Sequence, residues 1–238
     1  MKWHVVKEDS NTRFLFRLCK LIYACEDLWV ESGSEEIYVS PRNLTVYYES
    51  SVPKSLLDAL RERYGVYGIY FKELSAGFTE AIHYRELYSV LKNEFKTRFR
   101  EDILFLLDRT RRKRVEHALL LSSIKPVKIM LEGEEDRVIV PGGIRSFAFL
   151  HTHPGVYIAF SKKDLESAID FFMDGGIIES VVAGKYMLTL WRTWMISMDD
   201  IDALIDFKEE FTSKNRMLIS KAMQTLSKTP FKIEFEVI

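Results

Sequence analysis

The sequence predicts an α/β protein in two parts, a small α+β domain followed by a larger domain of strands and helices. Three observations carry this reading. The chain has 238 residues, room for one large domain or two small ones at about 150 residues each. Hydrophobic residues make up 47% and aromatics 13%, enough to fill a core. Helical and strand-like periods alternate along the chain with no internal repeat, which excludes a solenoid.

The elements follow in order. Residues 3–6 form a short strand. A helix over 12–28 places Phe14, Phe16, Leu18, Leu21, Ile22 and Cys25 at mainly helical spacing, with Asn11 or Ser10 as N-cap. Ile37-Tyr38-Val39 and residues 44–48 are β-rich and flank Ser40-Pro41-Arg42-Asn43, a hairpin signature. Pro53 opens a helix through Arg63, Gly65 stops it, and 66–71 is a strand. From Phe78 to Arg109 the pattern is helical, with Leu87, Leu91, Phe95, Phe99, Ile103 and Leu107 at steps of three and four. A run this long is expected to break near Thr97. Strands are predicted over 115–122, 127–131, 137–140 and 146–151, with turns at Gly133 and at Pro141-Gly142-Gly143. A helix over 161–173 ends at Gly175-Gly176, and strands over 177–182 and 186–191 flank Gly184. A long helix then runs from Asp199 or Asp200 to about Leu226, and a strand over 231–237 closes the chain. The domains are accordingly 1–75, a helical connector at 76–94, and 95–238.

Charge and cysteine content narrow the function. Lys and Arg total 34 against 35 Asp and Glu, a net charge of −1, so the surplus of a basic nucleic-acid binder is absent. No apolar run approaches the ~18 residues of a membrane span, and the first residues do not read as a signal peptide. Cys19 and Cys25 lie on different faces of one helical pattern, which disfavours a disulfide, and two cysteines cannot build a zinc ribbon. A cytoplasmic protein is expected.

The chemistry concentrates in His151-Thr152-His153. On an extended strand, residues two apart face the same way, so both imidazoles can address one object. Residues 154–160 are long enough to loop back and bring Asp164 of Ser161-Lys162-Lys163-Asp164 beside them. Two imidazoles and one carboxylate leave a fourth tetrahedral position open, as in a catalytic zinc site. The blander reading of Ser161-x-x-Asp164 is a helix N-cap with an acid in the first turn. The two readings are compatible, and the combined spacing favours the metal.

His151-x-His153-Pro154, seven residues from His153 to Ser161, then x-x-Asp164, resembles the motif of the JAMM (MPN+/JAB) zinc metalloproteases. The resemblance covers roughly residues 95–238. It implies a cytidine-deaminase-like fold, a curved mixed sheet between helices, and one Zn2+ per chain on His151, His153 and Asp164. The implied activity is hydrolysis of a peptide or isopeptide bond in a protein or peptide substrate, such as a conjugate of a ubiquitin-like modifier. It also implies a glutamate on an earlier strand as general base, for which Glu116 stands in the right place, with Glu132, Glu134 and Glu135 as rivals. Ser161 would donate to the oxyanion of the tetrahedral intermediate. The positions three and seven after Glu116 hold Leu119 and Ser123 where family members often have glycine, and Phe160 stands where several branches have proline. Short stretches after Leu131 and Gly176 leave little room for linkage-selecting insertions, so ubiquitin itself is not implied.

Two further readings stay beside the enzyme: a non-catalytic MPN-type scaffold in a larger complex, and a RadC-like module on nucleic acid. The basic run Arg109 to Arg114 could serve the latter, although a solvated helix end favoured by the macrodipole is the simpler account. Deaminase chemistry is disfavoured, since the chain has no Pro-Cys-x-x-Cys and no His-x-Glu. His117 is expected to face away from Glu116 and receives no role.

Overall fold

A computed structural model describes residues 2–6, 8–75, 81–156, 158–212 and 216–238. Phe78, the predicted start of the helical stretch, lies outside the described residues. In chain order the elements are β1 (Lys2–Val6), α1 (Ser10–Ser32), β2 (Tyr38–Ser40), β3 (Thr45–Tyr48), α2 (Lys54–Gly65), β4 (Tyr70–Glu73) and β5 (Ile82–His83). They continue with α3 (Glu86–Arg98), α4 (Arg100–Lys113), β6 (His117–Ser122), β7 (Lys128–Glu132), β8 (Ser146–Thr152) and α5 (Lys162–Met173). The last are β9 (Ile178–Ala183), β10 (Tyr186–Arg192), α6 (Met198–Phe211), α7 (Arg216–Leu226) and β11 (Phe231–Val237). This is a mixed α/β architecture, in two compact units: Arg13–Phe95, and Met1–Thr12 with Lys96–Ile238.

In the smaller unit the sheet order is β4-β3-β2-β5, with β3 and β4 parallel. Of the periodic residues of α1, Phe16, Leu18, Leu21, Ile22 and Cys25 are buried while Phe14 is half-buried, and Leu15 joins the buried face in its place. Cys19 and Cys25 are both buried and form no disulfide. The two-residue strand β5 falls where sequence periodicity indicated helix.

The larger unit holds a seven-stranded sheet in the order β1-β7-β6-β8-β9-β10-β11, in which only β8 and β9 run parallel. β1 pairs antiparallel with β7, so the first strand belongs to this unit rather than to a 1–75 domain. Asp9 accepts from Thr12 N–H at 2.7 Å, doing the capping expected of Ser10 or Asn11. Lys128 of β7 holds Asp9 at 3.2 Å and Asp102 at 2.7 Å. All six residues of β6 are buried, which identifies a strand covered on both faces. One large core gathers Leu165, Ile169 and Phe172 of α5 with Val181, Leu190, Leu204, Phe207 and Phe231.

The predicted long helix breaks at Phe99, two residues beyond Thr97, and α4 ends in a left-handed residue, Arg114 at φ +59°. That sharp stop delivers the chain directly into Val115 and Glu116. The helix predicted over 199–226 is α6 and α7, with 213–215 between them outside the described residues, and its first cap is Ser197, which accepts from Asp200 N–H. No strand forms at 137–140. Glu134 N–H bonds Arg137 O at 2.8 Å, and a Cβ on Gly133 would lie 2.3 Å from that same oxygen. The chain doubles back there, and Val138–Val140 become loop, with Ile139 and Val140 exposed. Among the described residues no helix is long and apolar enough to cross a membrane.

Candidate metal centre

β8 ends in the His-x-His segment. Strand alternation sends His151 and His153 to one side, and their Nε2 atoms stand 3.1 Å apart. Thr152 points the other way. Its hydroxyl accepts from His117 N–H at 3.0 Å, lies 3.2 Å from His117 O, and meets the Thr110 hydroxyl, which bonds His117 Nδ1 at 2.8 Å. All three residues are buried. The backbone pairing of β6 with β8 stops at Ala118↔His151, while His153 N–H turns to Val182 O at 2.9 Å. A side chain therefore replaces the ladder at the point where the two strands part.

Asp164 arrives from the first turn of α5 through a capping box: Ser161 N–H donates to Oδ2 at 2.6 Å, and Asp164 N–H donates to Ser161 Oγ at 3.1 Å. Its Oδ1 lies 3.4 Å from His151 Nε2, and its Oδ2 lies 3.5 Å from His153 Nε2. The cap is formed, and it leaves Asp164 close to both imidazoles. One ligand atom from each of His151, His153 and Asp164 falls within 4.8 Å of the others, a group able to hold a metal ion. Ligands about 2.0–2.1 Å from a tetrahedral zinc stand roughly 3.3 Å apart, close to the 3.1 Å between the two imidazole nitrogens and the 3.4 Å from His151 Nε2 to Asp164 Oδ1. The donor set of two imidazoles and one carboxylate also suits zinc.

Glu116 completes the cluster. Its backbone N–H and C=O are both held by one segment, with Glu116 N–H donating to Glu134 O at 2.7 Å and Gly133 N–H donating to Glu116 O at 2.8 Å. Its Oε1 stands 3.6 Å from His153 Nε2. Burial pushes the Glu116 carboxyl up to about 7, with the nearby Asp164 adding to the rise and His153 opposing it. Burial alone would raise Asp164 too, but hydrogen bonds to His151 and His153, with the Ser161 N–H, hold it well below the ordinary range. Burial disfavours the protonated form of His153, yet Asp164 and then Glu116 outweigh it and raise its pKa.

The rival carboxylates are elsewhere. Glu132 lies across from His117, bound to Arg109 at 2.8 Å and Lys113 at 2.5 Å, while exposed Glu134 pairs with Arg137. Glu135 is exposed. The basic run is largely engaged internally, since Arg111 also donates to Gly184 O and Arg112 pairs with Asp108. His117 faces away from Glu116, as strand alternation requires.

A cleft of about 540 Å³ opens beside the cluster, lined by Glu116, His151, Asp164, the 136–146 segment and one face of α5. Sequence reasoning missed Glu179, a fully buried acid that also lines this cleft. Burial, then the charge of Asp164, push its carboxyl well above the ordinary range. The signal was available: Glu179 is the one charged residue in Ile177–Ala183. Thr110 and Thr152 carried no such signal. No known family, curated protein or solved structure matches the chain.

Proposed function

We propose that the chain is a JAMM-type zinc metallopeptidase that hydrolyses a peptide or isopeptide bond in a protein or peptide, including conjugates of a ubiquitin-like modifier. The observation that carries this reading is the convergence of Glu116, His151, His153 and Asp164, from three separate stretches of chain, on one group at the mouth of a cleft. A curved mixed sheet between helices belongs to the same reading, supported by the mixed seven-stranded order.

Zinc held by His151, His153 and Asp164 would supply a Lewis acid that activates water and polarises the scissile carbonyl. Glu116 takes one proton of the attacking water as its oxygen bonds the carbonyl carbon. It then passes that proton to the nitrogen as the C–N bond breaks, leaving an acid and an amine. Burial favours the protonated form of Glu116, the direction that helps a base return its proton as an acid. Ser161 Oγ accepts from Asp164 N–H, so its own proton remains free for a developing oxyanion.

Metal analysis of the tag-free protein tests the reading, together with cleavage assays on peptide and modifier fusions. The expected result is about one zinc per chain, lost in His153→Ala, with hydrolysis that depends on the metal. Equal zinc in the wild type and in the His151→Ala/His153→Ala double variant would overturn the assignment. Full zinc without hydrolysis would favour a scaffold.

A further inference from the structure

Glu179 is the buried acid of the cleft for which the hydrolytic machinery has no use. It is 0% exposed, and among the described residues neither carboxyl oxygen has a hydrogen-bond partner. A buried carboxyl without partners costs stability that an apolar residue would not. On β9 it stands between buried Ile178 and buried Ser180, whose hydroxyl is engaged with Thr189, and the next residue on its own face is buried Val181.

Strand register places it. Leu120 pairs with Phe149 and Phe149 with Glu179, forming one row across β6, β8 and β9. The next row of the same face is Ala118, His151 and Val181. Rows of one face lie two residues apart, about 6.6–6.8 Å. The cleft floor therefore carries one carboxyl, beside apolar Leu120 and Phe149, a single row from a metal ligand. Six acidic and three basic side chains line the cleft, and one of the bases, Arg137, is already paired with Glu134.

We propose that the cleft binds an extended segment of the substrate and that Glu179 receives the cationic side chain of a lysine or arginine carried on it. The inference rests on the reading that this cleft serves the metal centre. A long cationic side chain answers both features of the floor: its methylene stem covers Leu120 and Phe149, and its charged head supplies the N–H donors that the carboxyl lacks. Because the carboxyl is fully buried, admitting the head group requires lining side chains to move, and Phe149 and Phe171 are half-buried ones.

The test uses fluorescein-labelled heptapeptide amides of alanine and valine, in which one position at a time carries Arg, Lys, citrulline or norleucine. Binding is read by anisotropy with the full chain and with Glu179→Gln and Glu179→Leu. At one position, Arg or Lys should bind at least about tenfold tighter than citrulline or norleucine, the scale of a charge-assisted buried hydrogen bond. Both variants should fold, Glu179→Leu with a raised melting temperature, and both should reduce the preference to within about twofold. No preference at any position, or a preference that survives both substitutions, overturns the proposal. Cleavage of the same peptides by the zinc-supplemented protein separates the two readings. Hydrolysis indifferent to the cation sinks the role of Glu179 and leaves the peptidase standing, whereas Glu179-dependent binding without hydrolysis does the reverse.

Discussion

Thr152→Val removes one oxygen from the segment between the two histidines and keeps the side-chain shape. The lost hydroxyl accepts from His117 N–H, lies against His117 O and meets the Thr110 hydroxyl, all in a buried setting. Leaving the His117 N–H without its acceptor, and removing a hydroxyl that the Thr110 hydroxyl also meets, should cost about 2–3 kcal/mol, since an unsatisfied buried group forfeits about 1–3 kcal/mol. For a chain of this size that lowers Tm by roughly 4–12 °C. The same bond fixes how far β8 parts from β6, and with it the 3.6 Å approach of Glu116 to His153. Zinc affinity should therefore fall about tenfold, the lower end of what supporting bonds around a ligand contribute. The assay is chelator competition at a temperature where the variant is folded, alongside thermal unfolding. Thr152→Ser keeps the hydroxyl and should restore affinity. A valine variant matching the wild type in both Tm and zinc affinity would refute the idea that this hydroxyl positions the ligands.

Other substitutions divide the remaining roles. Glu116→Gln should keep zinc and fold but lose at least ~10² in hydrolysis, because it cannot take a proton; unchanged turnover would move the base elsewhere. Ser161→Ala should cost about 1 kcal/mol as a lost cap, and about 10²–10³ in kcat with zinc retained if the hydroxyl also meets the oxyanion; intact kcat leaves Ser161 as a cap alone. Lys113, against the opposing pull of burial and with Arg109 assisting, holds Glu132 down to about 2 from an ordinary 4.5. A carboxyl depressed on folding contributes stability above its unfolded pKa and loses it as pH falls through its folded one. The contribution, on the order of 1 kcal/mol at this partly exposed site, should therefore fade from about pH 4.5 toward 2. Glu132→Gln should flatten that limb of the stability curve, and an identical acid limb in the variant would contradict the pairing.

What was legible in the sequence was local. The His-x-His alternation needs only the two-residue period of a strand, and Ser161-x-x-Asp164 announces its own helix start. The family resemblance is what points to Glu116, and the structure shows what sets it there: left-handed Arg114 ends α4 just before the strand. What stayed hidden depends on distant neighbours. β1 pairs with β7 across most of the chain, and no periodicity reports a partner. Arg137–Val140 has strand composition, but the turn closed by Glu134 and Arg137 leaves it no strand to pair with, so propensity alone misplaces it. Glu179 was visible as a lone acid in an apolar run, yet its place on the His151 face follows from the parallel register of β8 and β9.

The capping box shows why one short motif can serve helix and metal together. A carboxylate has two oxygens, and Asp164 divides them: Oδ2 takes the Ser161 N–H, while Oδ1 faces His151. Capping leaves Oδ1 available to a metal ion and orients it, because the bond at Oδ2 restricts the rotation of the carboxylate. The cap also gathers Ser161 Oγ against Asp164 N–H, at the edge of the same cluster. On the other side, Thr152 opens the ladder where His153 must turn toward Glu116. The centre is thus assembled at two places where regular structure ends, the first turn of α5 and the last rung of β6 with β8, and polar side chains complete the hydrogen bonding at both.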